Sequence, residues 1–311
     1  MFEEKKALFI YCVSPVHMGS GSAIGVIDNP IQRERHTDYP MMAGSGIKGA
    51  IRHDFWTQAN GDAEKLNRIN SVFGPGPSES SDYAGAISFS DAQLVAFPVR
   101  SVKRAFVYVT SLTALARMLR TLDMAEVPHN LKINGINNGC HVADGGLLTK
   151  GRIALEAFDY EAQENSLIKN VADWLSKNAM PSDPAFAFFK DKMAKDLVLL
   201  PDEDFSYFVR NATVVEPHVR IDDVTGTATK TGLFYTENLP PESLLLCMAM
   251  ATKERKKDNA MPSNQVMGVV MEGTCSEKSS HIFSGINGRM VQIGGDATTG
   301  RGQVFFKAAQ E

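Results

Sequence analysis

The chain has 311 residues, 43% of them hydrophobic and 22% charged, with no low-complexity tract; it is an ordinary globular composition, long enough for one large domain or two of average size. Its 32 basic and 36 acidic residues leave a formal charge of −4, so no global positive field draws in nucleic acid, and an RNA or DNA site must be a local patch. Cys12, Cys140, Cys247 and Cys275 form no C-x-x-C pair, which excludes a zinc ribbon and a disulfide scaffold and fits a reduced, cytoplasmic setting.

In chain order, "MFEEKKALFIYCVSPVHMG" is too short an apolar run, interrupted by Pro15 and His17, to be a signal peptide or membrane span; "ALFIYCVSPV" within it reads as a buried strand. A glycine-rich segment follows, and then "SGIKGAIRHDFWTQAN", with Ile47, Ala50, Ile51 and Phe55 at helical spacing and Ser45 as N-cap. Lys48 and Arg52 lie four apart and share a face of that helix. The stretch of about 74–84 has the Pro, Gly and Ser content of a disordered loop. "AISFSDAQLVAFPVR" and "AFVYVTS" read as strands and "LTALARMLRTL" as an amphipathic helix.

Residues of about 128–151 look like an irregular insertion, after which "RIALEAFDYEA" reads as a strand and "NSLIKNVADWLSKN" as a helix. The region 213–237 has two strand-like arms around a Thr-Gly-rich turn, a hairpin signal. "ESLLLCMAMAT" fits a strand or a buried helix, and "RMVQIGGDATTGRGQVFFKA" is strand, glycine loop, strand. No repeat of fixed period appears, and the mixture points to an α+β fold, taken as a single domain over 1–311 with insertions.

Glycine loops occur at Gly19 to Gly25, Gly44 to Gly49 and Gly294 to Gly302; glycine lets backbone amides approach an anion closely, and it also makes plain turns. The second is a literal G-x-G-x-x-G, but the strand before it is weak, Pro40 intrudes, and no ribose-binding acid stands at the expected distance. The third lacks a P-loop ending; there is no G-x-S-x-G elbow and no H-E-x-x-H, and Cys140 and His141 have no partners at metal-ligand spacing. Asp28 stands apart, with His17 upstream and Arg33, Arg35 and His36 just beyond. A carboxylate beside cations can hold a divalent metal or orient a hydroxyl while the cations bind phosphates; a turn aspartate bonding its own backbone before Pro30 is the competing reading. The basic run from Arg100 to Arg120 and the acidic run from Asp183 to Asp204 read as solvated faces.

Three blocks, "PVHMGSGSAIGVIDNPIQRERHTDYPMMAGSGIKGAIR", "GAISFSDAQLVAFPVRSVKRAFVYVTS" and "QIGGDATTGRG", resemble the successive blocks of RAMP-superfamily proteins of type III CRISPR systems. The "IDNPIQRE" wording is most similar to the repeated backbone subunit of the type III-B effector. The resemblance spans most of the chain. It implies a modified ferredoxin-like or RRM-like core with inserted helices and a β-hairpin thumb, stacking with copies of itself and with other subunits along a guide RNA. It further implies metal-dependent cleavage of complementary target RNA, one cut per copy, with Mg or Mn as the cofactor and the aspartate matching Asp28 beside the target strand. On that basis the expected cleavage residues are Asp28, as metal ligand or base, and His17, with Glu237 as a second acid. The expected RNA-binding residues are Ser45, Gly46, Lys48 and Arg52, Arg35 and His36, and Gly294, Gly295, Thr299, Gly300 and Arg301. A non-catalytic guide-binding scaffold and a guide-processing ribonuclease are the alternative functions.

Overall fold

The structure is a computed structural model that describes residues 2–22, 25–76, 83–229, 232–255, 260–274 and 282–309. Most of the predicted disordered loop, 77–82, lies outside the described residues, as does Cys275.

The heart of the molecule is an antiparallel sheet. Strand β1 (Glu4–Cys12) lies between β12 (Leu244–Ala251) and β14 (Gln303–Ala308), and β12 pairs in turn with β4 (Ala92–Ser101). Helix α1 (Gly44–Ala59) connects β1 to β4, and α7 (Ser263–Glu272) connects β12 to β14. The order β14-β1-β12-β4 is fourth, first, third, second: two split β-α-β units, the ferredoxin-like topology. The apolar run 244–251, open to strand or helix by sequence, is a strand because it fills the centre of this sheet between β1 and β4.

Everything between the second and third core strands is inserted there. Strands β5 (Ala105–Ser111), β9 (Leu197–Leu200), β6 (Cys140–Val142), β8 (Phe158–Glu164) and β7 (Arg152–Leu155) continue outward from β4, and β7 returns to pair with β4 at Ser101↔Leu155. The result is a six-stranded barrel-like ring that shares β4 with the open sheet. The predicted irregular insertion supplies one of its staves, since β6 is only three residues long and carries no strand signal by itself. "RIALEAFDYEA" is a hairpin, β7 turning into β8 at Glu156, where φ is +49°. The arms of 213–237 pair as expected, as β10 (Val214–His218) with β11 (Phe234–Asn238), apart from the main sheet.

The sequence of β1 shows why this sheet is buried on both sides. Leu8, Ile10 and Cys12 point to one face and meet Ile47, Ile51 and Phe55 of α1 and Val266 and Val270 of α7. Ala7, Phe9 and Tyr11 point to the other, against α3 (Leu112–Met124), α4 (Ser166–Asn178) and α5 (Ala187–Lys195), through Leu115, Met118, Val171, Leu175 and Met193. Such strands read as continuous apolar runs because neither face meets water. The acidic run near 200 is largely the first turn of α6 (Asp202–Asn211), where Asp202, Glu203 and Asp204 complement the helix dipole. The basic run is dispersed: Arg100 pairs with Glu156, Arg104 with Asp196, and Arg117 turns inward to Glu34.

Candidate nucleic-acid interface and cleavage site

An RRM binds RNA on the sheet face opposite its helices. Here that face is closed, because Phe9 is 0% and Tyr11 1% exposed beneath α3, α4 and α5. An RNA surface must therefore be built from loops at the strand ends.

The three glycine loops meet around His17 and Met18. The Gln32 amide donates to the Met18 carbonyl (2.8 Å) and that of Ser20 to the Pro30 carbonyl (3.0 Å), which joins the two flanks of the first glycine loop. From the carboxy-terminal loop the Gly295 amide donates to the His17 carbonyl at 2.9 Å. Gly294 makes this approach with φ of +83°, and a Cβ there would stand 2.4 Å from that carbonyl oxygen, so no other residue fits. From α1, Gly46 abuts Met18, where an added Cβ would lie 2.8 Å from the thioether methyl. Helix α1 is capped by the backbone of Ala43, and its first amide, that of Gly44, donates to Asp91 (2.8 Å); Ser45, predicted as N-cap, is exposed one residue inside.

Strand β11 aligns the chemical groups. Its even residues face β10, which leaves Tyr235 and Glu237, with Leu239 just beyond the strand, to present backbone groups to the glycine-rich segment. The Tyr235 amide donates to Asp28 Oδ2 at 2.7 Å, and the Tyr235 carbonyl accepts from Asn29 at 3.0 Å. Glu237 donates its amide to the Asn29 carbonyl (3.0 Å) and accepts at its carbonyl from His17 Nδ1 (2.7 Å). Val16 and Leu239 exchange both backbone hydrogen bonds. Asp28 and His17 are thus anchored two residues apart on one strand edge, roughly 7 Å by strand rise.

Asp28 is therefore not a turn aspartate bonding its own neighbours; its partner is 207 residues away, and its Oδ1 has no protein hydrogen bond among the described residues. Because a carbonyl only accepts, His17 carries a proton on Nδ1, which leaves Nε2 as the ring nitrogen not engaged by this bond. Gly19 leaves Nε2 uncovered: a Cβ at Gly19 would sit 2.8 Å from it.

Glu237, expected as a second acid at the cleavage site, is 2% exposed. Its Oε1 accepts from Arg33 (2.5 Å) and from the Thr213 hydroxyl (2.8 Å), and its Oε2 accepts from the Ile31 amide (3.1 Å). It is a buried anchor fastening the loop to β11. Arg33, expected to neutralise phosphate, is consumed by that pair and by the Asp38 and Val209 carbonyls. Arg35 is exposed. His36, with its side chain 70% exposed, is tied at Nε2 to Arg117 (3.0 Å), which also pairs with the buried Glu34 (2.8 Å).

On the far flank of α1, Lys48 and Arg52 stand beside Arg255, and burial together with the two guanidinium charges pushes the Lys48 amine below its usual range. Arg52 also donates to Asn70 Oδ1 (3.2 Å), and among the described residues these three cations have no carboxylate ion pair, so the group is suited to a polyanion. In the carboxy-terminal loop, Thr299 and Gly300 close a turn over Asp296 and Ala297, while Arg301 is ion-paired to Glu216 of β10. The loop is thereby tied to the hairpin.

No group of three His, Cys, Asp or Glu side chains converges among the described residues. Asp28 Oδ1 is an oxygen donor of the kind a hard cation such as Mg2+ takes, and a cation there would be held by Asp28. Glu237 is already committed elsewhere.

The sequence pattern of the RAMP superfamily matches residues 9–305. The chain belongs to the RAMP superfamily. Within it, this RAMP protein is 32% identical over 298 residues, 95% of its own length and 92% of the relative's, to the CRISPR system Cmr endoribonuclease Cmr4 of Pyrococcus furiosus, and so is a member of the Cmr4 family. The crystal structure of oligomeric Cmr4 from that organism is similar, with a TM-score of 0.69, 26% identity and coverage of 99% of this chain and 100% of that one. The fold also matches a chain in the cryo-EM structure of the type III-B Cmr-beta complex bound to cognate target RNA, with a TM-score of 0.71 at 21% identity over 99% and 98% of the two chains. No helix among the described residues of this RAMP chain is long and apolar enough to cross a membrane.

Proposed function

We propose that this chain is a repeated backbone subunit of a cytoplasmic type III-B CRISPR effector, binding guide RNA with copies of itself and other subunits and cutting complementary target RNA at regular intervals. The observation that carries the cleavage role is the pairing of Asp28 and His17 on one edge of β11, each with one atom fixed by that strand and one left to act. The cation cluster of Lys48, Arg52 and Arg255 supports guide-backbone binding.

In the cleavage step, the target 2′-oxygen attacks the adjacent phosphorus and the 5′-oxygen leaves, so one proton must be removed and one delivered. His17 Nε2 accepts the 2′-hydroxyl proton in the neutral tautomer that the Glu237 carbonyl selects, or delivers a proton to the leaving oxygen when the ring is charged. Asp28, held through Oδ2, orients the reacting hydroxyl with Oδ1 or holds the cation. A bound Mg2+ or Mn2+ would stabilise the charge that builds on the phosphate oxygens. Ordering the ribose in line with the leaving group supplies much of the acceleration.

The test assembles the complex with guide RNA and labelled complementary RNA and compares wild type with Asp28→Asn, whose amide oxygen can still accept from Tyr235. Regular cuts should disappear with Mg2+ or Mn2+ present while target binding and melting temperature hold. Cutting at the wild-type rate would refute the cleavage role and leave a guide-binding scaffold.

A further inference from the structure

On its outer surface α1 carries an aromatic pair that the cleavage site does not use. His53 and Trp56 stack with ring centroids 6.0 Å apart and planes 14° from parallel. Trp56 is 54% exposed, whereas the second tryptophan, Trp174, packs edge-on against the buried Phe9. Trp56 follows Lys48 and Arg52 at intervals of four, so the three side chains form one stripe along the helix. The acid on this helix, Asp54, lies off that stripe and is neutralised by Arg289. Gly49, on the same exposed surface, would place a Cβ in open space.

A large aromatic face kept in water beside a run of cations has the composition of a single-stranded nucleic-acid platform, in which cations track phosphates and a ring takes an unstacked base. His53 lies nearly parallel to the indole, so the pair already presents its rings in a stacked arrangement. The cations beside it favour RNA over an apolar protein surface.

We propose that the His53–Trp56 pair is a base-stacking platform that extends the cationic track of Lys48, Arg52 and Arg255 and holds one unstacked base of single-stranded RNA. This rests on the guide-binding reading above. The pair selects no base, because every base has a π-face. Its contribution is insensitive to salt, whereas that of Lys48 is electrostatic.

The experiment titrates the full chain, carrying Trp174→Phe so that emission reports Trp56, with fluorescein-labelled single-stranded RNA of guide length at several salt concentrations. Binding should quench Trp56. Trp56→Ala should weaken binding by roughly 5- to 100-fold with an unchanged salt slope, and Trp56→Tyr should restore most of it. Lys48→Ala should weaken binding and lower the slope by about 1. If Lys48→Ala behaves so but Trp56→Ala binds normally without quenching in its parent, the platform is overturned and the guide track stands. If Lys48→Ala has no effect, the guide track itself fails. An emission change that follows protein concentration without RNA would assign the pair to contact between copies and overturn the proposal as well. Circular dichroism and melting of Trp56→Ala separate loss of binding from loss of fold.

Discussion

Replacing Gly19 with alanine should disable cleavage without disturbing the fold. The added methyl would sit 2.8 Å from His17 Nε2, whereas carbon and nitrogen in contact need about 3.4 Å, so the ring must retreat by ~0.6 Å. It cannot do so freely, because Nδ1 is tied to the Glu237 carbonyl at 2.7 Å. Retreat therefore breaks the bond that fixes the tautomer or forces an off-rotamer ring, and in either case the methyl covers the nitrogen that works. Displacements of this order cost on the order of 10- to 100-fold in rate. Gly19 is not in the left-handed region, so alanine brings no backbone strain; the gain of about 0.5 kcal/mol from a smaller unfolded ensemble is set against about 0.5–1.5 kcal/mol for the displaced ring, so stability should fall by no more than about 1 kcal/mol. The assay is single-turnover cleavage of labelled target by the assembled complex, with target affinity and melting temperature measured alongside. The double variant with His17→Ala should be no slower than His17→Ala alone, since both changes remove one group. A Gly19→Ala complex that cuts at the wild-type rate, or a double variant showing additive losses, would refute the assignment of Nε2.

Arg33→Ala leaves the Glu237 carboxylate buried without its guanidinium and should destabilise by about 3–5 kcal/mol, read by denaturant unfolding; a change below ~1 kcal/mol would show that the pair does not anchor the loop. Glu242, whose burial pushes its carboxyl up to about 7, binds its proton more tightly folded than unfolded, so the stability this group contributes is present below about 4.5 and lost as pH rises to 7. Glu242→Gln should remove that slope, so the stability of the variant relative to wild type must grow from pH 4.5 to 7; a constant difference would contradict it. Ile51→Ala, at a position 0% exposed between α1 and the sheet, should cost about 2–5 kcal/mol by melting or denaturant titration.

The order and type of most elements were legible because their signals are local: an apolar run for β1, helical spacing in α1, α3 and α4, paired arms for β10 and β11. The helices α2 (Ala63–Phe73), α5, α6 and α7 are not among the elements expected from the sequence, although Phe205, Phe208 and Val209 show the helical spacing of α6. Strand β6 could not be seen, because three residues become a strand only when neighbours on both sides pair with them. The same limit affected the cap of α1, where Ser45 had the right chemistry but the amide partner came from Asp91, 47 residues on.

The sequence by itself determined an α+β chain without a global positive field, three glycine loops, and one aspartate worth singling out near a histidine. Only the tertiary structure decided how each group is held. Asp28 is fixed by a strand 207 residues away, Glu237 is an interior anchor, Arg33 and Arg301 are held by carboxylates, and Lys48 with Arg52 is joined by Arg255. The reason is the scale of the interactions. Periodicity is written in neighbouring residues, whereas burial, hydrogen-bond partners and charge neighbours depend on which distant segments the sheet brings together.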